Sequence, residues 1–143
     1  MILRVPNPQA DQVAAEIEAA LLASLAVTNT QSENSSFVLE ERAPDGRLLA
    51  GLTASTSYGW LLVKTLWVDD ALRGQGMGRR LMQAAEDKGR EIGCHGAWLD
   101  TSNPEAHAFY RRLGYSDFGT LQNTPGYHPE NHSRWFMKKR LNT

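Results

Sequence analysis

The chain has 143 residues, 41% of them hydrophobic and 22% charged, which suits one domain, 1–143, able to bury its own core without staples. A net charge of −1 makes no electrostatic case for nucleic acid or an anionic membrane as the main partner, and a single cysteine excludes an intramolecular disulfide and a cysteine metal cluster. With no apolar run near ~18 residues and no basic-then-apolar leader, the sequence reads as cytoplasmic. It carries no internal repeat, low-complexity tract or interdomain linker.

Ile2-Leu3-Arg4-Val5 predicts a short first strand, closed by Pro6-Asn7-Pro8. From Asp11 to Val27, the apolar residues Val13, Ile17, Ala20, Leu21 and Leu25 recur at helical spacing, with Asp11, Glu16 and Glu18 towards the start as the helix dipole favours. Thr28 to Ser36 reads as a polar loop. Phe37 to Arg42 and Leu48 to Ser57 are strand-like runs joined by a turn with a Pro44-Asp45-Gly46 centre, so they predict a hairpin. Trp60 to Val68 has the composition and length of a central strand. Lys64 interrupts it, either snorkelling from one face or lining a cleft. Trp60 and Trp67 suit a packed core better than a stacking platform.

The next stretch is the most informative. Leu66-Trp67-Val68 leads into a turn holding Gly74, Gly76 and Gly78, then into a helix with Met77, Leu81, Ala84, Ala85 and Ile92 on one side. Glycines let the backbone approach a ligand, and the first N–H groups of a helix have no partner inside it. A helix start of this kind is an anion site. Arg73, Arg79 and Arg80 add positive charge, so a phosphate-bearing ligand is expected. The string Gly-x-x-x-x-Gly-Lys-Ser/Thr is absent, and the dinucleotide fingerprint fails because Arg79 stands where its third glycine belongs.

Beyond the helix, Gly93-Cys94-His95-Gly96 precedes a short strand, Ala97 to Thr101. Cys94 beside a helix C-terminus reads as a packed residue, since that end disfavours a thiolate, and His95 as a solvated helix end. A further helix starts either at Ser102, with Glu105 completing a capping box, or at Asn103 ahead of Pro104. Ala106, Phe109, Tyr110 and Leu113 form its apolar face and Gly114 ends it. Two strands, Tyr115 to Leu121 and Arg134 to Leu141, flank a polar insert with His128 and His132, whose length suggests function. Pro129 between the two histidines argues against a helical metal pair, so no metal is expected. The apolar terminal strand with Trp135, Phe136 and Met137 has an edge to cover, which predicts a homodimer.

Two blocks carry a family resemblance. Arg73-Gly74-Gln75-Gly76-Met77-Gly78 fits Gln/Arg-x-x-Gly-x-Gly/Ala, and the run from Asn103 through Ala106, Phe109 and Tyr110 to Gly114-Tyr115 fits Asn-x-x-Ala-x-x-Phe-Tyr-x-x-x-Gly-Phe/Tyr. In that order, one helix and one strand apart, they resemble the GNAT superfamily of acetyl-CoA-dependent N-acetyltransferases. The resemblance implies an α/β fold, a mixed and largely antiparallel sheet of roughly six or seven strands flanked by helices. It also implies a splayed parallel pair, Trp60–Val68 and Ala97–Thr101, forming a wedge for pantetheine. It assigns main-chain contacts with pantetheine to Leu66, Trp67 and Val68, and the pyrophosphate to Arg73, Gly74, Gln75, Gly76, Met77, Gly78 and Arg79. Asn103 would touch the cofactor arm, and Tyr110 would be the general acid. The partners implied are acetyl-CoA and an amine acceptor, a small molecule or a peptide, chosen in part by residues 28–36. Many family members use a strand carboxylate as base. Here Lys64 occupies the central strand, which leaves Glu40, Glu41, His128 and His132 as candidates. A non-catalytic acyl-CoA-binding module on the same fold is the alternative.

Overall fold

A computed structural model describes residues 1–28 and 34–142, in two compact units, Met1–Gln31 and Ser32–Thr143. In the first, helix α1 (Gln9–Thr28) forms where the apolar spacing predicts it. Residues 2–5 form no strand, because a strand needs a ladder and none of the described strands pairs with them. The expected loop at 28–36 falls mainly outside the described residues. At its end, Ser35 and Ser36 already belong to a strand.

The second unit is a six-stranded sheet. Its strands are β1 (Ser35–Arg42), β2 (Leu48–Ser57), β3 (Trp60–Val68), β4 (Gly96–Thr101), β5 (Ser116–Gln122) and β6 (Ser133–Arg140), in spatial order β1-β2-β3-β4-β6-β5. Helix α2 (Met77–Ile92) links β3 to β4, and α3 (Pro104–Arg112) links β4 to β5. The β3–β4 pair is parallel and all the others are antiparallel. None of the described helices is long and apolar enough to cross a membrane.

Alternation along the strands selects the face that the helices cover. Ala50, Leu52 and Ala54 of β2, Leu61 and Val63 of β3, Ala97 and Leu99 of β4, and Met137 of β6 are buried in one core with Leu81, Met82 and Ala85 of α2 and Tyr110 of α3. The strand around Trp135, Phe136 and Met137 is not an edge. It lies between β4 and β5, and the free edges belong to β1 and β5, so the premise for a dimer through this strand fails.

Lys64 sets the geometry of the wedge. Thr65 stands opposite Thr53, yet the next pair is Val63 with Ala54, so Lys64 is an extra residue, a β-bulge. Before the bulge Leu61 and Val63 point at the helices, and after it Leu66 and Val68 do. Trp67 is therefore turned out of the core, 47% exposed. Lys64 itself is exposed. The parallel pairing covers only Trp60 to Leu62 against Gly96 to Trp98. Past that point β3 and β4 separate, leaving a gap between the ends of two strands.

Candidate active site

The gap opens towards the turn between β3 and α2. Asp69 accepts a hydrogen bond from the Ala71 N–H and starts a short 3-10 turn, Asp70–Leu72. Gly74 and Gly76 follow, both at φ +79°, in the left-handed region where a Cβ is disfavoured. Gly76 is the N-cap of α2 and gives it no side-chain hydrogen bond, so the first N–H groups of the helix stay open for an anion. The Arg80 guanidinium folds back and donates to the Gln75 carbonyl at 3.2 Å. Arg73 is exposed and pairs with Asp70 at 3.0 Å.

Gly78 differs from the other two. Its φ is not positive, but a Cβ there would lie 3.2 Å from Cζ of Phe109. It is small so that α2 can approach α3.

These elements enclose a cleft of about 580 Å³. Its walls hold Leu66, Trp67 and Val68 from β3, Arg73, Gly74, Gly76, Met77, Gly78 and Arg79 from the turn and α2, Asn103 just ahead of α3, and Tyr110 from α3. Every site residue expected from sequence lines it except Gln75, whose carbonyl serves Arg80. Leu72, Glu105, Ala106, Phe109 and Arg112 also line it and were not anticipated as site residues. Ala106 and Phe109 carried the apolar signal of a helix face, which reads as core. Arg112 carried no signal beyond its charge.

Of the two possible starts for α3, Asn103 is the cap. Its Oδ1 accepts from the Glu105 N–H at 2.8 Å, while its own N–H donates to Thr101 Oγ1 at 3.2 Å. With Oδ1 engaged, Asn103 offers the cleft its amide N–H groups.

Tyr110 is 7% exposed, packed edge-on against Phe109 at 5.2 Å and Tyr115 at 6.0 Å. Burial pushes its phenol up from the ordinary value near 10 to about 12. Among the described residues its hydroxyl meets no hydrogen-bond partner. Neighbouring Tyr115 is different, since its hydroxyl donates to buried Glu86 at 2.9 Å, and Glu86 also holds Lys139 at 2.8 Å. The Tyr115 phenol is raised by burial and then by the Glu86 charge.

The candidate bases are not brought to the cleft. Glu40 is exposed and pairs with Arg42 at 2.9 Å, Glu41 is exposed, and His128 and His132 sit on the loop 123–132. None lines the cavity. Cys94 is buried with its thiol pushed up by that burial, as suits a packed residue. Trp60 packs edge-on against His95 at 5.1 Å, whereas Trp67 is cleft wall and not core.

A bulged strand, an open glycine-bounded helix N-terminus and a splayed parallel pair are the features of one family, and residues 6–115 match the model described as "Acetyltransferase (GNAT) family". The chain belongs to the GNAT acetyltransferase family. This GNAT protein is 36% identical over 115 residues to an acetyltransferase of Agrobacterium fabrum, covering 78% of this chain and 84% of that protein. It is 40% identical over 81 residues to the blasticidin-S acetyltransferase of Streptomyces morookaense, covering 56% of this chain and 60% of the relative. A crystal structure of an Agrobacterium tumefaciens protein superposes with a TM-score of 0.82 at 31% identity, over 98% of this chain and 97% of that one. The GNAT protein is thus an acyltransferase with the mixed α/β sheet of its family.

Proposed function

We propose that the chain, acting as one domain over 1–143, transfers the acetyl group of acetyl-CoA to a primary amine. The observation that carries this reading is the shared cleft. An open α2 N-terminus and the protonated phenol of Tyr110 line the same space, beside the gap between β3 and β4. The N–H groups of residues 74–78 suit the pyrophosphate, a dianion that a glycine-bounded helix start can approach closely. Leu66, Trp67 and Val68 are in position to pair their main chain with the pantetheine amides, since β3 has no β4 partner there. Asn103 offers its amide N–H groups to the arm.

In the reaction the amine nitrogen forms a bond to the acetyl carbon, the carbonyl becomes a tetrahedral oxyanion, and the C–S bond then breaks. The departing thiolate takes its proton from the Tyr110 hydroxyl. A proton leaves the attacking nitrogen to water or to a base carried by the acceptor side, and the Tyr110 phenolate regains one from solvent, which closes the balance.

The relative that acts on blasticidin S makes small amine-bearing antibiotics the first acceptors to try, with peptides second. The free β5 edge, with Phe118 and Leu121 exposed, is the place where a second copy would dock. The test is thiol release from acetyl-CoA with a panel of amines, antibiotics and peptides. Release with at least one amine above the water background is expected. Tight acetyl-CoA binding with no release from any member would make this a binding module instead.

A further inference from the structure

A second cavity, of about 310 Å³, lies between α2 and α3 and shares two walls with the cleft, Arg79 from the start of α2 and Arg112 from the end of α3. Its other charged lining residues are Arg80, Glu86 and Lys139. Four cations thus face one carboxylate, and that carboxylate is already used. Glu86 is 2% exposed and holds Lys139 at 2.8 Å and the Tyr115 hydroxyl at 2.9 Å. Arg80 is engaged with a carbonyl of the turn. Arg79 and Arg112 take part in no ion pair among the described residues. Two exposed guanidiniums without a carboxylate partner on the walls of one half-enclosed space leave net positive charge there, which a dianion between them would neutralise. Planar forks of N–H donors are suited to phosphate oxygens in particular.

The position narrows the ligand further. The cavity begins where the phosphate-binding turn ends, so its occupant belongs to the same molecule if that molecule carries a second phosphate a sugar's length from its pyrophosphate. Coenzyme A has such a group on its ribose. Resting on the acetyl-CoA reading, we infer that Arg79 and Arg112 clamp the ribose 3′-phosphate of the cofactor, and that this chain distinguishes CoA from its 3′-dephospho form by that contact. Arg112 is then a cofactor-specificity residue on α3, the helix that also brings Tyr110 and, at its N-cap, Asn103 to the cleft.

The experiment is calorimetric titration of the full chain with CoA and with 3′-dephospho-CoA, repeated for Arg112→Gln and Arg112→Lys, with circular dichroism confirming that each variant is folded. The unsubstituted chain is expected to prefer CoA by at least about tenfold, a contrast of the size that charge-assisted hydrogen bonds supply. The preference should shrink as salt is raised. In Arg112→Gln the ratio of the two affinities should fall towards one, and in Arg112→Lys it should be intermediate, because a point charge replaces the fork. Equal affinity of the unsubstituted chain for both ligands, or an unchanged ratio in Arg112→Gln, overturns the assignment while leaving acetyl-CoA binding intact. Failure of both ligands to bind overturns the acetyl-CoA reading and this inference with it.

Discussion

Gly78 and Phe109 stand so close that a Cβ on the glycine would come within 3.2 Å of the ring. This contact fixes the separation of α2 and α3, and so the width of the cleft that both helices line. In Gly78→Ala two effects compete. Alanine in a helix gains up to about 1 kcal/mol over glycine, while forcing extra volume into a packed contact costs about 1–3 kcal/mol. Overpacking should win, giving a net loss of about 1 kcal/mol in urea unfolding and weaker acetyl-CoA binding. Phe109→Leu in the same chain should restore part of the loss. Strict additivity of the two substitutions would show that the contact does not set the spacing.

Gly76 tests the anion site. At φ +79° a β-branched residue is strained by about 1–2 kcal/mol, and its side chain would stand at the mouth of the helix where the pyrophosphate is proposed to bind. Gly76→Val, shown to be folded, should bind acetyl-CoA at least about tenfold more weakly. Unchanged affinity would falsify the placement at residues 74–78.

Much of the candidate site's geometry is legible in the sequence because its signals are local. The glycine turn, the amphipathic α2 and the cap of α3 are each set by residues within a few positions of one another, and β2 and β3 begin and end where composition puts them. What escaped depends on partners distant in the chain. Lys64 could be seen to interrupt β3, but it is a bulge only by its register against Thr53 and Ala54. β6 reads as an exposed terminal strand until it is found inserted between β4 and β5, an order to which sequence periodicity is blind. Residues 2–5 have strand composition yet form no strand. Arg112 looks like any solvated helix end until α2 brings Arg79 opposite it.

The two raised phenols make alkaline stability a test of core packing. Tyr110 moves from near 10 to about 12 through burial, and Tyr115 is raised through burial and Glu86. A folded-state value above the unfolded one gives stability that is full below pH 10 and lost as pH climbs through the folded value. For Tyr110 the window is therefore from pH 10 to about 12, with about 1 kcal/mol lost by pH ~11, and Tyr115 adds to the fall in the same direction. Urea midpoints followed from pH 8 upward should fall in this range, and Tyr110→Phe or Tyr115→Phe should each flatten the fall. A fall of the same size in both variants would mean that other groups cause it.

Tyr115 and Tyr110 also separate structural from chemical use of a tyrosine. Replacing Tyr115 by Phe leaves Glu86 short of a donor in a buried place, which costs about 1–3 kcal/mol of stability. The Tyr110 hydroxyl meets no partner among the described residues, so Tyr110→Phe leaves nothing orphaned and should be neutral or slightly stabilising at neutral pH. Its effect should appear in turnover. If Tyr110 is the proton donor proposed above, removing its hydroxyl leaves the thiolate to depart unaided, and kcat should drop by roughly tenfold to a thousandfold with acetyl-CoA affinity little changed. Because burial holds the phenol up to about 12, the unsubstituted enzyme should show no alkaline loss of kcat from this group anywhere near neutral pH. A Tyr110→Phe variant with unchanged kcat, under conditions where the chemical step is rate-limiting, would return this residue to the core and leave the thiolate without a donor from α3.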